Sequence, residues 1–95
     1  MDTPLVFIFR GCPPQRFHEL KKWDIVLVSL SSCPGVERVE EWRLREYIKD
    51  KFVVVVGDRL LAKRLEVAHA TYGEVERFME YLKRDVGPLY KPYLQ

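Results

Sequence analysis

Ninety-five residues, 47% of them hydrophobic and 32% charged, suffice for one compact domain, close to the lower size at which a single core folds without staples. With 16 basic and 14 acidic residues interleaved, the net charge of +2 leaves no concentrated basic stripe of the kind that phosphate-backbone binding requires, so nucleic acid is not an expected partner. The longest apolar runs, Leu5–Phe9, Ile25–Val28 and Phe52–Val56, fall far short of a membrane span or a signal-peptide core; the expectation is a cytoplasmic protein with no membrane partner.

Leu5–Phe9 is apolar on both alternation phases, the pattern of a central strand covered on both faces. Residues Pro13 to Trp23 are expected to form a short helix that buries Phe17, Leu20 and Trp23 and turns His18, Lys21 and Lys22 to water, with Pro13 in its first turn. Ile25 to Leu30 repeats the strand pattern and stops at Ser31-Ser32-Cys33-Pro34-Gly35, a turn built on a second Cys-Pro pair. A helix is then expected from Val36 to about Asp50, with Val36, Val39, Leu44, Tyr47 and Ile48 on its apolar face and Trp42 off that face as a candidate contact residue. Four consecutive valines make Phe52–Val56 the clearest strand of all.

The next segment can be read in two ways. Gly57-Asp58 can form a hairpin turn into an antiparallel strand, Leu60 to Val67, or Asp58 can cap a helix running through Ala70. Side-chain propensity prefers the helix. Thr71-Tyr72-Gly73-Glu74, however, reads as a capping box that opens a separate helix with Val75, Phe78, Met79, Leu82 and Val86 along one stripe, and a fresh helix start favours the hairpin. Residues 87–95 carry two prolines and two tyrosines and are read as an extended C-terminal tail of the single domain 1–95, a candidate homodimer contact.

The resulting α/β order, β-α-β-α-β-β-α with a cysteine at the first strand-to-helix turn, resembles the thioredoxin superfamily, and its glutaredoxin-sized members in particular, from Leu5 to about Arg84. That resemblance implies a mixed four-stranded sheet flanked by helices and a reactive cysteine at the start of the first helix, where backbone N–H groups and the helix dipole favour a thiolate. The matching stretch is Cys12-Pro13-Pro14-Gln15. Gln15 stands where the resolving cysteine would be, and no proline precedes Phe52 where the family places its cis-proline. If the hairpin is helical, the alternative is a three-stranded parallel α/β sandwich and the likeness falls.

Cys33 offers a second sulfur. Parallel strands joined by right-handed crossovers end on one edge, which brings the turns after the first two strands together, so Cys12 and Cys33 are expected to form a structural disulfide or a non-standard redox pair. Asparagine is absent and Lys, Arg and Glu are plentiful, a composition similar to that of proteins from hot-growing organisms, in which intracellular disulfides are tolerated.

Around Cys12, Pro13, Pro14 and Gln15 are candidates to shape the substrate-binding turn, and Arg10 and Arg16 to bind an anionic thiol such as a glutathione-like carboxylate, with plain solvated charge as the simpler reading for both. His18 and His69 lack metal-ligand spacing. Ser31 and Ser32 lack a nucleophile setting, Gly57-Asp58 lacks a phosphate-loop lysine, and no cofactor is expected. Two functions follow as expectations: a thiol-disulfide redox protein acting through Cys12 on a protein or small-molecule thiol or disulfide, or a non-catalytic thioredoxin-fold binding or assembly module.

Overall fold

The computed structural model describes residues 3–86, and over that range five parallel strands form one sheet in the order β3-β2-β1-β4-β5. Strand β1 (Leu5–Phe9) is central, paired to β2 (Val26–Ser29) on one side and to β4 (Phe52–Val56) on the other. Beyond these lie the short edge strands β3 (Glu37–Arg38) and β5 (Ala68–Ala70). The chain lays down β1, β2 and β3 in one direction, then crosses back and adds β4 and β5 on the far side of β1. That reversal leaves a crevice above the C-terminal ends of β1 and β4, the place where open parallel sheets usually bind ligands.

Alternation along β1 divides the core. Val6 and Ile8 join Val28, Val53 and Val55 on the face covered by the helices α1 (Leu44–Tyr47) and α2 (Arg59–Leu65). Phe7, Phe9 and Val56 face the opposite way, onto a 3₁₀ helix, Gln15–Trp23, and onto α3 (Tyr72–Tyr81). Both sheet faces are therefore apolar, which accounts for the unbroken hydrophobic runs of β1 and β4.

The first crossover is a 3₁₀ helix, not an α-helix. Phe17, Leu20 and Trp23 are spaced by three, the period of a 3₁₀ helix, so all three lie on one edge, with Phe17 and Leu20 completely buried. Pro14, in an extended conformation, occupies the N-cap.

Two expectations are corrected. No helix runs from Val36 to Asp50: Glu37 and Arg38 pair in parallel with Val28 and Ser29, Val39 donates its N–H to Ser29 O, and the chain turns through a 3₁₀ segment, Glu41–Arg43, before α1. The β-branched Val36 and Val39 flank this edge strand, and only Leu44 onward has the burial of a helix.

The hairpin is also absent. Residues 59–65 are helical because the Asp58 carboxylate accepts from Leu61 N at 3.1 Å as N-cap, and because Leu61, Ala62 and Leu65 then share a buried helix face. Glu66 ends the helix in the left-handed region (φ 59°), and the chain returns as β5, parallel to β4. The sheet is thus five-stranded and all parallel rather than four-stranded and mixed, and the hairpin on which the likeness to the thioredoxin superfamily depended is not part of it. The three-stranded parallel alternative has the right strand direction but lacks both edge strands.

The Thr71 capping box is formed, with Thr71 Oγ1 accepting from Glu74 N and Glu74 Oε1 accepting from Thr71 N. Gly57, which turns the chain out of β4, has φ 78°, and a Cβ there would meet the Tyr72 ring at 2.6 Å. Only glycine fits between β4 and α3 at this point. The expected tail contact at 87–95, and the Val86 side chain, lie outside the described residues.

Candidate functional site

Because β1 and β2 are parallel neighbours in register from Val6↔Val26 to Phe9↔Ser29, the loops that leave them start side by side on the C-terminal edge of the sheet. Cys12 is three residues past the end of β1 and Cys33 four past the end of β2. They form a disulfide with a Cα–Cα distance of 5.6 Å. The shared edge predicted from the two Cys-Pro turns is the geometric reason this bond can form.

Cys12 does not open a helix. It lies two residues ahead of Pro14, the N-cap of the 3₁₀ helix. Ser32 O lies 3.7 Å from its Sγ. Cys12 is nonetheless exposed, whereas Cys33 is half-buried. An incoming thiolate would therefore reach the first sulfur more readily than the second.

The other expected site residues divide between structural and exposed positions. Pro13 is buried under the loop, Pro14 caps the 3₁₀ helix, and Gln15 begins it with its side chain in solvent. Arg10 and Arg16 are exposed and both are ion-paired. Arg16 pairs with Glu76 of α3 and lies over the Phe17 ring, 5.3 Å from its centroid. Arg10 Nε donates to Asp58 Oδ2 at 2.6 Å, with Glu41 at 3.7 Å on its other side. Both guanidiniums are thus engaged by carboxylates of neighbouring elements while remaining exposed.

Several residues at this edge have roles that the sequence does not announce. Asp58 has two roles, since Oδ1 caps α2 while Oδ2 holds Arg10, and both contacts push its carboxyl below the usual value, the Arg10 hydrogen bond most strongly. Glu41 bridges Arg10 and Arg64, and so connects the turn before α1 to α2. Ser29, the last residue of β2, is completely buried, and it is the buried polar residue of the described core. Its Oγ donates to Gly11 O at 2.7 Å, accepts from Ser31 N at 2.9 Å, and lies 3.6 Å from Cys33 Sγ. The sequence signal for it was a lone hydroxyl in the otherwise apolar run Ile25–Leu30.

Ser31 adds a second tie, its Oγ donating to Arg10 O at 2.8 Å. Beyond the disulfide a shallow groove of about 480 Å³ opens along Arg10, Leu30, Arg38, Glu40, Glu41 and Trp42. Trp42 is 79% exposed there, with Nε1 donating to Glu40 Oε1 at 2.7 Å and Arg43 over its ring.

Among the described residues, no helix is long and apolar enough to cross a membrane and no group of three or more His, Cys, Asp or Glu is placed to hold a metal ion. The chain matches no protein-family model, and no curated protein or solved structure is significantly similar to it.

Proposed function

We propose that this chain is a thiol-disulfide redox protein whose working element is the Cys12–Cys33 pair, cycling between dithiol and disulfide against a protein or small-molecule thiol. The observation that carries the reading is the asymmetry of the pair: Cys12 is exposed and Cys33 is half-buried beside a buried hydroxyl. Exposed disulfides are the ones that exchange, whereas inert staples are usually shielded. The pair differs from a Cys-x-x-Cys motif in that its two sulfurs come from two loops, 21 residues apart in sequence. Exchange at Cys12 is proposed here without the thioredoxin-like strand order and without the helix start expected to favour its thiolate.

The test is equilibration of the native protein in graded glutathione buffers, followed by acid quench, alkylation and counting of modified cysteines by mass. A reversible transition of two thiols per chain, with the circular dichroism of the folded protein retained, supports the reading. A disulfide that stays intact in the folded protein at every ratio, and opens only on unfolding, refutes it.

A second reading has its own observation. Trp42, held by Glu40 at the mouth of the groove, is a large exposed aromatic of the kind enriched in contact surfaces. In that reading the chain is a non-catalytic binding or assembly module and the disulfide fixes the loops beside the contact. A partner retained equally well by oxidised and reduced protein, and lost on Trp42→Ala, would favour it.

A further inference from the structure

We propose that Ser29 is the hydrogen-bond donor that receives the leaving sulfur, so that reduction begins at Cys12 and releases Cys33 as the thiolate. The inference rests on the redox reading above and adds to it the direction of attack and the group that enforces it. Four observations meet at one oxygen. Ser29 is buried at the end of a strand, its hydroxyl lies 3.6 Å from Cys33 Sγ, it donates to Gly11 O, and it accepts from Ser31 N.

A serine hydroxyl has one hydrogen, and in the oxidised protein the Gly11 carbonyl takes it. An external thiolate attacks Cys12 Sγ in line with the S–S bond. A new sulfur-sulfur bond forms to Cys12, the old one breaks, and its electron pair stays on Cys33 as a thiolate. The Ser29 O–H turns from Gly11 O to this anion, a charge-assisted hydrogen bond from a buried hydroxyl to a half-buried sulfur. Ser31 N, still donating to Ser29 Oγ, polarises the hydroxyl and strengthens that bond.

A second external thiolate then attacks the sulfur of the first, releasing the external disulfide and the Cys12 thiolate. The sum is two thiols oxidised, one disulfide reduced, and two protons transferred to the protein sulfurs. The switch has a mechanical consequence, because the hydroxyl that stabilises Cys33 is the one that tied down Gly11. Giving up the Gly11 carbonyl frees the loop carrying Cys12 in the step that loads it, and exposed Gly11 can take water instead. Attack at Cys33 would gain nothing comparable, since the Cys12 sulfur faces a carbonyl, Ser32 O, which cannot donate to an anion.

The experiment is stopped-flow reduction of the folded protein by excess glutathione, with acid quench and mass mapping of the first mixed disulfide. Glutathione is expected on Cys12, and Ser29→Ala is expected to slow its appearance about tenfold, the equivalent of one modest hydrogen bond to a charged group. Ser29→Thr, which keeps the hydroxyl, is expected to restore the rate. Lys21→Met removes a side-chain tie to the loop that carries Cys33, Nζ to Gly35 O at 2.6 Å, without touching a sulfur or the Ser29 hydrogen bonds, and its rate is expected to stay within about twofold of the parent, the cost of one exposed hydrogen bond being small.

A purely structural Ser29 predicts the opposite sign, because loosened loops expose the bond and Ser29→Ala would be reduced as fast as the parent or faster. That result, or glutathione mapped to Cys33, overturns this inference and leaves the redox reading standing. A parent protein not reduced at all while folded overturns both.

Discussion

The two loops that flank the end of β1 are tied down by different chemistry. Toward β2 the tie is covalent, Cys12 to Cys33, supported by the Ser29 and Ser31 hydroxyls. Toward β4 it is ionic, Arg10 to Asp58, with Glu41 and Arg64 extending the network. The difference follows the quality of the underlying structure. On the β4 side all of β1 is in register, from Leu5↔Phe52 to Phe9↔Val56, and the crossover into β5 is an α-helix with a side-chain cap. On the β2 side the crossover is a 3₁₀ helix with poorer hydrogen bonding and no side-chain cap, β3 is two residues long, and the connection between β2 and β3 contains no helix. The covalent bond sits where the backbone alone holds the edge least well. One side of the central strand is thus tied by a covalent bond and the other by charge.

The strongest challenge to this comparison is to remove the packing beneath the weaker side. Phe17 anchors the 3₁₀ helix, completely buried against Phe9 at 6.0 Å between ring centroids and stacked with Tyr72 at 5.8 Å. Phe17→Ala is expected to cost about 4 kcal/mol, measured by urea unfolding with the disulfide intact. If the covalent tie alone held this side, the loss would instead be under about 1 kcal/mol, the range of an ordinary surface change.

Next in size is the disulfide itself. Closing a loop of this length restricts the unfolded chain, so the double variant Cys12→Ser/Cys33→Ser is expected to lose about 3 kcal/mol and to melt roughly 15 °C lower by circular dichroism. Hydrogen exchange sharpens the comparison: amides of β2 and β3 are expected to exchange faster in the variant while those of β4 and β5 keep their protection relative to the global stability. Uniform acceleration across the sheet would mean that the two sides unfold as one unit.

What was readable in the sequence follows the same division. β1 and β4 declared themselves because strands buried on both faces are apolar at every position, and the shared edge of two Cys-Pro turns pointed correctly to the pairing of the sulfurs. The helix expected over 36–50 fails because Val36, Val39 and Leu44 mimic a helical stripe while lying just before an edge strand, just after it and in a later helix. At 60–67 the capping box at Thr71 is formed, but it does not require a hairpin before it. A fresh helix start excludes a continuous helix through Ala70, yet it leaves room for a seven-residue helix followed by a three-residue strand. The site suffered most, because Ser29 and Asp58 act through neighbours 18 and 48 residues away, which no local pattern contains.

The smallest expected effect isolates the ionic tie. Asparagine caps a helix about as well as aspartate, so Asp58→Asn keeps the α2 cap and removes only the charge facing Arg10. Because this pair is partly exposed, the variant is expected to lose about 0.5–1 kcal/mol at pH 7 and less in 1 M salt. The sign with pH is fixed by the depressed carboxyl: folded Asp58 titrates below its ordinary value of 3.8, so the unfolded chain binds the proton first as pH falls. Its contribution is therefore full above the unfolded value and disappears as pH falls through the lower folded one. Plotted against pH, the stabilities of parent and variant are expected to run parallel well above the ordinary carboxyl value and to converge as pH falls through the lower folded one, since a protonated carboxyl and an amide are then alike in charge. No gap at pH 7 would assign Asp58 to capping alone, and the β4 side would lose its claim to a pH-sensitive tie.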